Sequence, residues 1–204
     1  MDVTARPLDY SRTASAAALL TGAGGVLYSV SFVIVARAAP ALGTGLSATF
    51  LLLGGILGAV ALIGLHDRLA AEAGPYALCA LALGLAGAFA AALHGGYDLA
   101  NVLHPTGAPP ALPSQVDPRG LGTFGLAGLS LLGFAWLMRR DESWPRRLGQ
   151  LGLLSGALLV VIYLGRLIVL DPASPLLLGP AALEGFVVNP AWYVWLGLAL
   201  RARR

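Results

Sequence analysis

The sequence has no lysine, a single cysteine and little charge of either sign. All thirteen basic residues are arginine, which excludes a lysine Schiff base to retinal or pyridoxal phosphate and any lysine nucleophile. Cys79 has no second cysteine to pair with. Lying within an apolar stretch, it reads as a small core residue. Charged residues make up 11% of the chain, against about 25% in soluble domains. Also missing are G-x-S-x-G, H-E-x-x-H and the phosphate-binding glycine loop, so the corresponding hydrolase, zinc protease and nucleotide-binding classes have no support.

What is present is apolar. Six stretches predict helices over about 13–36, 42–65, 75–103, 120–138, 148–169 and 175–200. A helix needs about 20 apolar residues to cross a bilayer's hydrocarbon. Six such helices in 204 residues leave almost no room for a soluble domain. The expected fold is all-α: one domain, 1–204, a bundle of six transmembrane helices whose obligatory partner is the lipid bilayer. The first stretch exceeds the apolar core of a secretory signal, about 7–15 residues, so helix 1 is expected to be retained.

Arginine sets the expected orientation. With the N-terminus cytoplasmic, the inner segments hold ten arginines, including Arg139, Arg140, Arg146, Arg147, Arg201, Arg203 and Arg204. The outer segments hold three: Arg37, Arg119 and Arg166. The excess predicts both ends inside. The pI of about 9.4 therefore needs no nucleic-acid partner. The absence of lysine, together with the richness in alanine, glycine, leucine and proline, suggests a bacterial source and an inner-membrane location.

Polar residues within apolar helices are costly and point to function. Helix 3 ends His94-Gly95-Gly96-Tyr97-Asp98-Leu99-Ala100-Asn101. At about 100° per residue, His94, Tyr97, Asp98, Asn101 and His104 share an arc of roughly 120°. Arg166 falls near the outer end of helix 5, and Glu184 within or just at the outer edge of the apolar core of helix 6. Asn189-Pro190 lies deeper, where proline withholds a donor and predicts a kink with an unpaired carbonyl. Between helices 3 and 4, the segment from His104 to Arg119 holds Pro105, Pro109, Pro110, Pro113 and Pro118, and reads as an extended connector or a lid over the outer face.

Two readings of the polar residues stand side by side. In one, Arg166 pairs with Asp98 or Glu184 and the network only pins helices 3, 5 and 6, as in an accessory subunit of a membrane complex. In the other, His94, Tyr97, Asp98, Asn101, Arg166 and Glu184 line an outward-facing pocket between helices 3, 5 and 6 that binds or passes a small polar or amphiphilic ligand. A membrane-embedded enzyme using Asp98, His94 and Glu184 is a third reading. His94 and Asp98 at i, i+4 suit a cation, but the pattern is too sparse to predict a metal, and no cofactor is expected. Ser130 and Ser155 are expected to bond their own helix backbone. Gly54-x-x-x-Gly58 and Gly152-x-x-x-Gly156 are expected at internal helix contacts. Trp192, Tyr193 and Trp195 fit an interfacial belt or helix packing.

Overall fold

The computed structural model describes residues 10–105, 117, 119–171 and 174–202. Six helices span the described chain: α1 (Tyr10–Ala38), α2 (Pro40–Ala73), α3 (Pro75–Leu103), α4 (Leu121–Arg140), α5 (Arg146–Ile168) and α6 (Pro175–Ala202). Each is long and apolar enough to cross a membrane. No strand occurs among the described residues.

The local chemistry explains the boundaries. Pro40, Pro75 and Pro175 each occupy the first turn of a helix, where a missing N–H costs nothing. Gly74 ends α2 with φ +47°, a conformation that favours glycine. α2 runs past the apolar limit at Leu65 to Ala73, because His66-Asp67-Arg68-Leu69-Ala70-Ala71-Glu72 contains no helix breaker. Hydropathy marks where the apolar stretch of a helix ends, not where its hydrogen bonding stops.

The helices form a closed ring. Each packs on its neighbours in sequence, and α6 returns to pack on α1. One end of the ring, the terminal end, carries the described chain ends with the α2–α3 and α4–α5 turns; the other is the far end.

Large apolar side chains are packed in the terminal half. Phe134, Trp192, Leu65, Leu69, Met138, Leu148, Leu196 and Leu200 are essentially fully buried there. Full burial makes Trp192 a packing residue rather than part of an interfacial belt. In the far half the buried positions are mostly small or polar: Ser29, Ser31, Gly43, Ser47, Ala48, Gly95 and Thr123, with Leu159, Leu177 and Val188 as larger exceptions. Backbones approach closely there. A Cβ on Gly95 would lie 2.5 Å from both the Ala48 carbonyl oxygen and the Leu52 nitrogen, and one on Gly156 would lie 2.7 Å from the Gly128 carbonyl oxygen. Of the two glycine pairs expected at helix contacts, Gly152 and Gly156 are both packed, whereas Gly54 meets nothing within 4 Å.

The outside of the ring is inverted relative to a soluble protein. Leu93 is 74%, Leu176 75% and Ile168 83% exposed, among many other large apolar side chains. So continuous an apolar exterior is unusual on a soluble monomer and fits a lipid-facing surface. Cys79 is on this exterior, which corrects its reading as a core residue: α3 turns that position away from the ring. Three helices contain π-helical turns, at Ser31–Val35 in α1, Leu121–Leu126 in α4 and Glu184–Val188 in α6. All three fall in the far half. Most of the proline-rich connector lies outside the described residues.

Candidate functional site

The far end of α3 carries one polar cluster. His94 and Asp98, one turn apart, face each other with Nε2 3.5 Å from Oδ2. The N-terminal end of α4 closes on them. His94 Nδ1 is 3.3 Å from Thr123 Oγ1, and Thr123 sits in the π-helical turn of α4. Just before α4, Arg119 Nη1 donates to Asp98 Oδ1 at 2.9 Å. The same guanidinium donates from Nε to both oxygens of Asp117, at 2.9 and 3.0 Å, and from Nη2 to Oδ2 at 2.5 Å. Asp117 Oδ1 also accepts the Arg119 backbone N–H at 2.9 Å, so the acid is fixed by its own neighbour before it meets the helix. His94 Nε2 is 3.7 Å from Asp117 Oδ2. The Arg119 guanidinium lies over the Tyr97 ring, 4.8 Å from its centroid.

Side-chain hydrogen bonds from Arg119 hold the Asp117 carboxyl below its usual range. Reciprocally, hydrogen bonds to Asp117 raise the Arg119 guanidinium above its ordinary value. Two carboxylates against one guanidinium leave the cluster one negative charge in excess whenever His94 is neutral.

Beside the cluster, a shallow groove of about 740 Å³ runs between α2 and α3. Leu52, Phe89, Ala92, Leu93 and Gly96 form its apolar wall, and Tyr97 and Arg119 stand at its polar end.

A second polar cluster joins α5 to α6. Ser155 Oγ donates to Glu184 Oε1 at 2.5 Å, and Asn189 Nδ2 donates to the same Oγ at 3.2 Å. Ser155 and Glu184 are buried. Ser155 is nine residues from the start of α5, about 14 Å, so Glu184 is near mid-depth of the bundle. Glu184 Oε2 has no partner among the described protein atoms.

The six expected residues are thus divided. His94, Tyr97 and Asp98 come together, with Asn101 half-buried further along α3, while Glu184 belongs to the other cluster. Arg166 does not pair with either acid. Its Nη1 donates to the carbonyls of Val169, at 2.8 Å, and Leu170, the unpaired acceptors beyond the C-terminus of α5. Those carbonyls lie within reach along its own chain, whereas Asp98 is already held by Arg119. Ser155 also departs from expectation by donating across to α6, and Ser130 donates to the Ala80 carbonyl on α3 at 2.7 Å.

The residues missed in the sequence are Asp117, Arg119 and Thr123. Their signal was Asp117-Pro118-Arg119-Gly120 at the entrance to a helix, an acid and a base two positions apart. Read only for topology, Arg119 counts as one of three outer arginines. Among the described residues, no group of three metal-ligating His, Cys, Asp or Glu side chains is arranged to hold an ion. Compared with family models, with curated proteins and with solved structures, the chain matches none of them.

Proposed function

We propose that this chain is an integral membrane protein of six spanning helices that binds an amphiphile at its far end. Both termini are cytoplasmic in this reading, since the terminal end holds seven of the ten described arginines and arginine is retained inside. The far end then faces outward, and the α2–α3 groove opens into the outer leaflet.

The observation that carries the reading is the adjacency of the groove to the His94–Asp98–Asp117–Arg119 cluster. Apolar walls suit an acyl or alkyl chain. The excess negative charge at the polar end favours a headgroup bearing an ammonium, which Asp98 and Asp117 would attract and Tyr97 would face as a cation–π partner. Arg119 retains N–H groups for a phosphate in the same headgroup. A phosphoamine lipid, zwitterionic and single-headed, has that pattern.

A structural reading has its own support: Arg119 is satisfied by two carboxylates, so the cluster can simply fasten the entrance of α4 to α3. Purified protein titrated with short-chain phosphatidylethanolamine or phosphatidylglycerol separates the two. Binding predicts that the amine lipid raises the unfolding temperature saturably and more than the anionic lipid, and that Asp98→Asn weakens the response severalfold. Equal responses to both lipids, unchanged by Asp98→Asn, would leave only the fastening role.

A further inference from the structure

The second polar cluster is not used by the amphiphile site. Glu184 is the one ionisable side chain among the buried residues described, at 3% exposure. One carboxylate oxygen is held by Ser155, which is itself held by Asn189. The other, Oε2, is buried with no hydrogen-bond partner. Arginine does not supply the counter-charge: Arg166 is spent on the carbonyls of Val169 and Leu170. A carboxyl oxygen enclosed at mid-depth of a helix bundle, away from water, calls for a positive partner, either a proton or a bound cation.

The chemistry of the surroundings narrows that partner. Two hard oxygens are offered, the Glu184 carboxylate and the Ser155 hydroxyl, and Asn189 holds that hydroxyl through its Nδ2. The backbone adds to these. Glu184 opens a π-helical turn that ends at Val188, and Pro190, having no N–H, leaves a carbonyl of that turn without its usual donor. Interrupted helices that present unpaired carbonyls near mid-membrane suit alkali cations. A single carboxylate balances one positive charge, whereas calcium and magnesium sites gather more carboxylate. No histidine or cysteine is present for a softer ion.

We propose that Glu184, Ser155 and Asn189 form a binding site for one small monovalent cation, sodium in kind, that ties α5 to α6. The site is independent of the far-end groove. Its occupant neutralises Glu184 and completes the oxygen shell that the α6 π turn opens.

The test uses the full chain in detergent, unfolded thermally in sodium chloride or choline chloride at equal ionic strength. The expected result is a saturable rise in unfolding temperature with sodium, a weaker one with potassium, and no sodium-specific rise in Glu184→Gln. Ser155→Ala should raise the half-saturating sodium concentration severalfold. Equal unfolding temperatures of the unsubstituted chain in sodium and choline would overturn the proposal, as would a sodium response that survives in Glu184→Gln. Should Glu184→Gln fail to fold, Ser155→Ala and Asn189→Ala decide: a weakened response supports the site, and an unchanged one in both rejects it.

Discussion

The two halves of this bundle are held together by different means. In the terminal half, Phe134, Trp192, Leu65 and Leu196 fill the space between helices with large side chains. Small residues bring backbones together in both halves, Gly22 and Gly197 in the terminal one and Gly95 in the far one, but few large side chains are buried in the far half, and three helices carry π-helical turns there. Dense side-chain packing gives a fixed arrangement. Small-residue contacts leave room for polar groups, and a π turn redirects side chains at the cost of regular hydrogen bonding. Both polar clusters involve this second, less side-chain-packed half. The contrast separates the part that holds the fold from the part available for chemistry.

Paired phenylalanines put that division at risk first. Phe134 is fully buried in the terminal half, whereas Phe89 in the far half is 56% exposed. Phe134→Ala should cost about 3–5 kcal/mol through the cavity it leaves, and Phe89→Ala under about 1 kcal/mol. Both are measured by reversible unfolding in mixed micelles. Similar losses for the two would show that the far half depends on the same packing.

Backbone contact between α2 and α3 is the next point of leverage. A Cβ on Gly55 would collide with the Ala88 carbonyl and lie 2.6 Å from the Ala92 nitrogen, whereas one on Gly54 meets nothing within 4 Å. Gly55→Ala should therefore destabilise by about 1–3 kcal/mol through overpacking. Gly54→Ala should be neutral, or stabilising by up to about 1 kcal/mol from helix propensity. If the neighbouring substitution proved equally damaging, close approach at Gly55 would not be what joins these helices.

Smaller still is the far-end ion pair. The Asp98, Asp117 and Arg119 side chains are 33%, 31% and 27% exposed, so solvent screens them. Arg119→Met should cost about 1–2 kcal/mol, below the figure for a fully buried pair.

The smallest effect is on pH dependence. Asp117 is held below its usual value of 3.8 in the folded chain. Its contribution is complete above that value and is lost as the pH falls through the depressed folded one. The unfolding temperature should thus drop on acidification below about pH 4, and Arg119→Met should flatten that part of the profile. A profile identical in both proteins would break the link between this pair and stability.

Six apolar stretches and a scarcity of charge were enough to predict six helices long enough to span a membrane, and proline and glycine marked several of their ends. Those features are local: hydropathy and backbone preference act within one segment. The arc of His94, Tyr97 and Asp98 was legible for the same reason, since helical periodicity places residues one turn apart on one face. What the sequence left open was which charge meets which. Arg166 and Arg119 are equally polar residues near helix ends. Arg166 turns to the carbonyls that follow it, while Arg119 meets Asp98 because the end of α3 and the start of α4 are brought side by side. Ser155 reaches Glu184 only because α5 and α6 are adjacent in the ring. Partner choice for a polar group depends on distances between helices, and those arise from packing the whole ring at once.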